Sequence, residues 1–306
     1  MEKVFVTGSA GFIGGHLVDE LLKKYIVIGI DNMTTGLQST LESHIAHENF
    51  IPALYDVTDS NIENIFRYHS PKYVFHLAAK SGVAPSVNFP AFSDFTNVNG
   101  TVRMLELSRK YKAERFVFSS SSSIYGGSDG TPNSEDDEPR PRSPYALQKL
   151  VGEKYCKLYS ETLGLDTACL RYFNVIGPRQ RSDSAYAAVI PAWSMCKKNG
   201  LRPKIYGDGL TSRDFCPVES VVSANILAAE YGKNLSGEVF NVARGENMSL
   251  LHLHEVLDLK EPIFESERPG DVKHSLANID KIKSVLGYEP IERIEESILE
   301  AAASYL

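Results

Sequence analysis

A chain of 306 residues with 42% hydrophobic and 23% charged side chains has an ordinary globular composition, and it can bury a substantial core as one unit or two closely joined ones. Its formal net charge of −7 disfavours a general role on nucleic acid or an anionic membrane, and no apolar run is long enough to span a bilayer. No basic and apolar leader precedes the first strand, and Cys156, Cys169, Cys196 and Cys216 show no C-x-x-C spacing, so a cytoplasmic protein with reduced thiols and no metal site is expected.

The run at 3–7 is β-branched and aromatic and predicts a buried strand. Gly8, Gly11, Phe12, Ile13 and Gly14 follow at once, and then Leu17, Val18, Leu21 and Leu22 recur at helical spacing. Strand, glycine loop and helix together cradle a pyrophosphate. The first glycine permits a tight turn, the second a close backbone approach, and the third close packing of helix on strand. The second strand, at 25–30, ends in Asp31, where an acid can take the ribose hydroxyls of a dinucleotide. Asp31 also repels a 2′-phosphate, and Asn32 follows with no adjacent Arg or Lys, so NAD is expected rather than NADP.

A third strand at 49–54 leads to Asp56 and Val57, and Asp56 either meets an adenine amino group or caps a turn. Asp59 and Ser60 are placed to cap the next helix. The fourth strand, at 72–76, ends in Leu77, Ala78 and Ala79, small enough in part for backbone to approach a cofactor. Ser81, Gly82 and Val83 then lie at the carboxyl end of that strand, where open α/β sheets bind ligands. His76 has no second ligand nearby and reads as a satisfied strand-end histidine rather than a base or metal ligand.

A single long helix is expected over 95–110, with Val98, Val102, Leu105 and Leu107 inward and Asn97 and Asn99 placed to face the cofactor. A fifth strand at 115–118 runs into Ser119, Ser120, Ser121, Ser122 and Ser123. A serine tract is commonly a linker. One that extends a strand at the carboxyl edge of a sheet is better read as hydroxyls lining a cleft, with Ser119, Ser121 and Ser123 on one face.

After a polar loop at 127–142, Ser143 caps and Pro144 opens a helix running to about 163. Tyr145 and Lys149 share one face of it, a turn apart. A free phenol titrates near ~10, and a neighbouring ammonium lowers that value, so the pair can take a proton from an alcohol and return it. A sixth strand at 166–171 is followed by Tyr172 and Asn174. Six strands alternating with helices predict a doubly wound parallel sheet. Beyond 177 the pattern shifts to shorter elements: a helix at 185–198 broken at Pro191, a short strand at 204–206, a helix at 218–231, a strand at 238–242 that rejoins the sheet, and a terminal helix. Residues 1–176 are thus expected to form a cofactor domain and 177–306 mainly a smaller α/β lobe over its carboxyl edge. Arg213 and Arg268 are candidates to hold a diphosphate.

These stretches together resemble the extended short-chain dehydrogenase/reductase family, and within it the NAD-dependent UDP-sugar 4-epimerases. The matching motifs include the glycine loop, Asp31-Asn32, His76 to Ala79, Asn97 to Thr101, Ser121 to Gly126, Tyr145 with Lys149, Arg171 to Asn174, Thr211 to Phe215 and Arg268 to Asp271. The resemblance implies a Rossmann sheet with Tyr145 as base and acid, Lys149 on the nicotinamide ribose, and Ser121 as the catalytic serine. It puts Ser119 and Tyr172 with the glycine loop, Asp31, Asn32, Asp56, Val57, Leu77, Ala78, Ala79 and Asn97 along the cofactor. Asn174, Arg213 and Arg268 would hold the diphosphate and Asp271 the uridine ribose. Ser81, Gly82, Val83, Ser122, Ser123, Ala188, Val189, Ile205 and Tyr206 would border the substrate.

The implied reaction removes hydride from the sugar C4, turns the 4-keto sugar over and returns the hydride to its other face. A homodimer through helices near 95–110 and 143–163 is implied as well. Ser275 would border the sugar's 2-substituent, and a small residue there implies interconversion of UDP-N-acetylglucosamine and UDP-N-acetylgalactosamine over the plain hexoses. Epimerases or decarboxylases of UDP-uronic acids remain an alternative. A 4,6-dehydratase ranks lower, because Ser122 and Ser123 stand where those enzymes carry acids. A non-catalytic dinucleotide sensor also ranks lower, since such proteins typically lose the tyrosine or the lysine. The stretch from Met248 to Glu265 is shorter than in the family at large.

Overall fold

A computed structural model describes residues 1–127, 131–181, 188–267 and 272–306. The first strand, β1 (Lys3–Thr7), is followed by helix α1 (Phe12–Leu21), then β2 (Ile26–Ile30), β3 (Phe50–Ala53), β4 (Tyr73–His76), β5 (Arg115–Ser121) and β6 (Thr167–Tyr172). A seventh strand, Glu238–Val242, pairs with β6 and closes that edge. The order across the sheet is Glu238–Val242, β6, β5, β4, β1, β2, β3, all parallel. Winding reverses at β1, between β2 and β4, and there the carboxyl ends open a crevice.

The strands read as near-continuous apolar runs because both faces are covered. Val4 and Val6 of β1 join Val18, Phe75, Val117, Leu170 and Phe240 on one face. Phe5 joins Ile28, Val74, Phe116 and Phe118 on the other. A third apolar cluster, including Ile176, Trp193, Ile205, Phe215, Leu253 and Ile298, lies in the C-terminal half.

At the amino edge, buried Arg115 opens β5. Its Nε donates to Asp166 at 2.6 Å, and its remaining nitrogens donate to the carbonyls of Ala228, Ala229, Tyr231 and Lys233 at the end of helix Val218–Glu230. At the carboxyl edge, His76 of β4 pairs with Phe118, and β5 and β6 continue three residues further, to Ser121 opposite Tyr172. That overrun makes one wall of the crevice.

The expected single helix at 95–110 is two pieces. Phe95–Gly100 winds as a wider π-helical turn before the α-helix Thr101–Lys110. The wide turn rotates the face: Leu105 and Leu107 are buried as expected, but Val98 and Val102 are half-exposed, Asn97 is buried and Asn99 is exposed. The helix expected at 185–198 runs Val189–Lys198, with Pro191 in its first turn, where a missing N–H costs nothing, rather than at a break. Residues 185–187 lie outside the described residues. Ser143 caps helix Pro144–Thr162 as expected, its Oγ accepting from the Ala146 N–H at 3.2 Å.

Candidate active site

The glycine loop is built for close approach. Gly8 has φ +72°, and a Cβ there would press on the Ala78 nitrogen at 3.0 Å. A Cβ on Gly14 would overlap the Gly8 carbonyl oxygen at 2.0 Å. Gly11 caps α1 with no side-chain bond, so the first N–H groups of that helix face the crevice. Phe12, Ile13, Leu77, Ala78 and Ala79 lie half-buried along the same edge, and Val57 is buried.

Asp31, at the end of β2, accepts from the Ala10 N–H at 3.0 Å and the Met33 N–H at 2.8 Å. One N–H on each oxygen leaves each a further lone pair for a ribose hydroxyl. Asp56 caps a turn: it accepts from the N–H and hydroxyl of Thr58, and from the Asn32 amide at 2.5 Å.

His76 is satisfied, and its hydrogen bonds have one consistent direction. Thr101 spends its proton on the Asn97 carbonyl at 2.7 Å, so its oxygen accepts from His76 Nε2 at 3.0 Å. His76 Nδ1 then accepts from the Thr7 hydroxyl at 2.9 Å, and the Thr7 oxygen accepts from the N–H groups of Leu77 and Ala78. Burial holds the imidazole neutral, with its pKa lowered to about 3. Asn97 accepts from the Lys80 N–H at 2.7 Å and donates to the Lys80 carbonyl and to Gln148. Its amide nitrogen is committed to this loop and to helix Pro144–Thr162 rather than turned outward.

Tyr145, Lys149 and Ser121 converge at the overrun of β5. The Tyr145 backbone N–H is held by Ser86 Oγ at 3.1 Å, and Ser121 is the side chain that faces its hydroxyl. Lys149 is buried, donates to the Ser119 carbonyl at 2.7 Å, and lies 5.8 Å from the centre of the Tyr145 ring. The expected lowering of the tyrosine by the ammonium is not what this arrangement gives. Burial pushes Tyr145 up, and the Ser121 hydrogen bond only partly offsets it. Lys149 is itself desolvated and lowered to about 8.

The five serines separate by direction. Ser119 pairs with the Tyr172 hydroxyl at 2.9 Å, and Ser120 donates to Glu153, which is ion-paired with Arg171 in the interior. Ser121 alone of these meets Tyr145. Ser122 begins a 3₁₀ turn, Ser122–Tyr125, that folds Ser123 back onto Ser121.

On the substrate side, Asn174 donates to Ser275 Oγ at 2.9 Å and to the Asp214 carbonyl at 3.1 Å. Arg213 donates to the carbonyls of Ser212 and Lys273. Ser81 and Val83 are exposed, and Gly82 takes φ +103°. Ala188 is exposed at the start of helix Val189–Lys198, and Val189 and Tyr206 are half-buried. Ile205 is fully buried in the third cluster, so its side chain serves the lobe core rather than a surface. Arg268 and Asp271 lie outside the described residues.

Two residues were missed by sequence reasoning. Asp214, fully buried, accepts the N–H groups of Arg244, Gly245 and Ala277 at 3.0–3.1 Å. Asn241, also fully buried, accepts from the Tyr125 hydroxyl and donates to the carbonyls of Asn133 and Asn278. Between them they tether the carboxyl end of the segment that carries Ser275, at Ala277 and Asn278. Among the described residues, no group of three His, Cys, Asp or Glu side chains converges as a metal site.

The NAD dependent epimerase/dehydratase family matches this chain over residues 4–243. The chain belongs to that family. It is 35% identical over 303 residues to a UDP-glucose 4-epimerase of Mycolicibacterium smegmatis, covering 97% of this chain and 96% of the relative. A UDP-N-acetylglucosamine 4-epimerase from Methanobrevibacter ruminantium, solved with UDP-N-acetylmuramic acid, superposes with a TM-score of 0.93 at 39% identity, covering 99% of this chain and 98% of that one. A UDP-glucuronic acid 4-epimerase from Bacillus cereus, solved with UDP-glucuronic acid and NAD, gives a TM-score of 0.90 at 30% identity over the same shares. As an NAD-dependent member of this family, the chain has a cradle that fits the dinucleotide. No side chain intrudes at Gly8, Gly11 or Gly14, and the acid at the end of β2 keeps acceptor capacity.

Proposed function

We propose that this enzyme inverts C4 of a UDP-hexose, with UDP-N-acetylglucosamine and UDP-N-acetylgalactosamine as its preferred pair. The 4-epimerase reaction rests above all on the convergence of Tyr145, Lys149 and Ser121 beside the dinucleotide cradle. NAD, when bound, accepts a hydride from a carbinol carbon and gives it back. Tyr145 takes the proton of the sugar 4-hydroxyl and later returns it. Ser121 hydrogen-bonds the same oxygen. Lys149 holds a positive charge at the floor and orients the cofactor ribose. Residues 1–176 act as the cofactor domain and 177–306 mainly as the sugar-nucleotide lobe, with Arg213 and Arg268 toward the diphosphate and Asp271 toward the uridine ribose.

The N-acetyl preference rests on Ser275. It is small, half-buried and tied to Asn174. A large aromatic there would occupy the space an acetamido group needs, since packed interiors hold few voids. The similarity to the Methanobrevibacter ruminantium enzyme supports the same choice. The test is a panel of UDP-glucose, UDP-galactose, their N-acetyl counterparts and UDP-glucuronic acid, run on wild type and Ser275→Tyr. Turnover of the acetylated pair should collapse in the variant while that of the plain hexoses survives. A parallel loss on both pairs, or no change on either, removes Ser275 from specificity. Fast turnover of UDP-glucuronic acid alone makes this a uronate epimerase.

A further inference from the structure

The oxygen of Ser121 is held from behind. It accepts from the Ser123 N–H at 3.2 Å and from the Ser123 hydroxyl at 2.9 Å. A hydroxyl oxygen has two lone-pair sites and one proton. With both sites taken by Ser123, the proton of Ser121 is left to point away from that turn, on the side where Tyr145 lies.

The turn that carries Ser123 is anchored by contacts of its own, independent of any ligand. Ile124 and Tyr125 are buried, and the Ile124 carbonyl accepts from the Arg140 N–H at 2.9 Å. The Tyr125 hydroxyl donates to Asn241 at 2.7 Å, and Gly126, at φ +73°, ends the turn.

We infer that Ser123 is a positioning residue: it fixes the Ser121 hydroxyl as a one-way donor toward Tyr145 and the oxygen on which both act. The role rests on the 4-epimerase reading above. Hydrogen bonds in a row polarise one another, so the Ser123 hydroxyl also strengthens the bond that Ser121 donates. A donor aimed at an oxygen favours that oxygen's negative form, and the proton-transfer step of this reaction creates such a form.

The test is a double-mutant cycle on Ser121→Ala, Ser123→Ala and the double variant, with kcat and KM measured on the UDP-hexose that wild type turns over fastest. Ser123→Ala should lower kcat roughly fivefold to tenfold, the effect of losing one hydrogen bond, with KM unchanged. In the Ser121→Ala background it should add nothing, because the group it orients is gone. The acid limb of its pH profile should also move to higher pH, since a weaker donor favours phenolate less. The isosteric pair Ser123→Thr and Ser123→Val keeps the comparison valid if shortening the side chain disturbs the turn: Thr should restore most of the rate and Val should not. Losses that add, a loss in KM alone, or equal rates for Thr and Val would overturn the role and make Ser123 a direct sugar contact or a bystander. A wild type that interconverts no UDP-hexose defeats the 4-epimerase reading and this role with it. An active wild type with an additive cycle defeats only the role of Ser123.

Discussion

At Tyr145 two effects oppose each other, and burial outweighs the hydrogen bond from Ser121. The phenol therefore stands above its ordinary value in the free enzyme. A base must be ionised to act, so kcat/KM is expected to climb as pH is raised from mildly acidic to mildly alkaline. Tyr145→Phe should lower turnover by roughly 10²-fold or more, the scale of a lost general acid–base, and a nucleotide assay of the denatured variant should still recover NAD. Near-wild-type turnover would remove Tyr145 from the reaction. Tyr145 and Lys149 were legible because helical spacing alone puts them on one face. The serine register was only partly legible. Strand alternation separates Ser120 from Ser119 and Ser121, but the turn that returns Ser123 to Ser121 has no signature in five identical residues. Asp214 and Asn241 were not legible at all, because their side-chain partners lie 30 to 116 residues away.

The segment at 272–277 belongs to no long element, yet it is tied like one. Lys273 and Ser275 exchange backbone bonds with Ser212 and Asp214, and Ala277 donates to the Asp214 carboxylate. Burial pushes Asp214 from 3.8 up to about 7 against the pull of its backbone N–H donors. An acid raised in this way stabilises the fold below its unfolded value and loses that contribution as pH rises through about 7. Asp214→Asn puts an amide N–H against backbone N–H groups and should loosen the segment, raising KM roughly tenfold with a smaller change in kcat. The gap in Tm between wild type and this variant should shrink as pH rises from about 4 to about 7. A gap that stays constant would mean an aspartate ionised throughout. Among elements, the seven main-sheet strands were legible as β-branched and aromatic runs ending in turn residues. The wide turn at Phe95–Gly100 was not. It ends where Gly100 seats against Val57, at a point where a Cβ would come within 2.7 Å of a Val57 methyl, and no helical pattern signals that.

At the scale of the molecule, one face stays apolar. Phe89, Phe92, Phe95 and Leu147 are each more than half exposed around a groove of about 470 Å³ lined by Pro90, Val98 and Val151 among others. A patch of that kind marks an association surface, and it lies on the two helices through which the family resemblance implies a homodimer. Sedimentation analysis tests that expectation: the wild type should sediment as a dimer and Phe92→Asp with Leu147→Asp as a monomer, whereas a monomeric wild type would refute it. No helix among the described residues is long and apolar enough to cross a membrane. Arg115 works at the opposite edge of the sheet from the chemistry. Arg115→Met removes the charge partner of the part-buried Asp166 carboxylate and the donor to four backbone carbonyls, so a loss of about 3 kcal/mol is expected, lowering Tm by roughly 5–10 °C with kcat and KM unaltered. A shifted KM would show the two edges to be coupled. If they are separate, inherited variation sorts by where it falls: changes near Arg115 alter how many working copies a cell retains, and changes near Ser121 alter what each copy achieves.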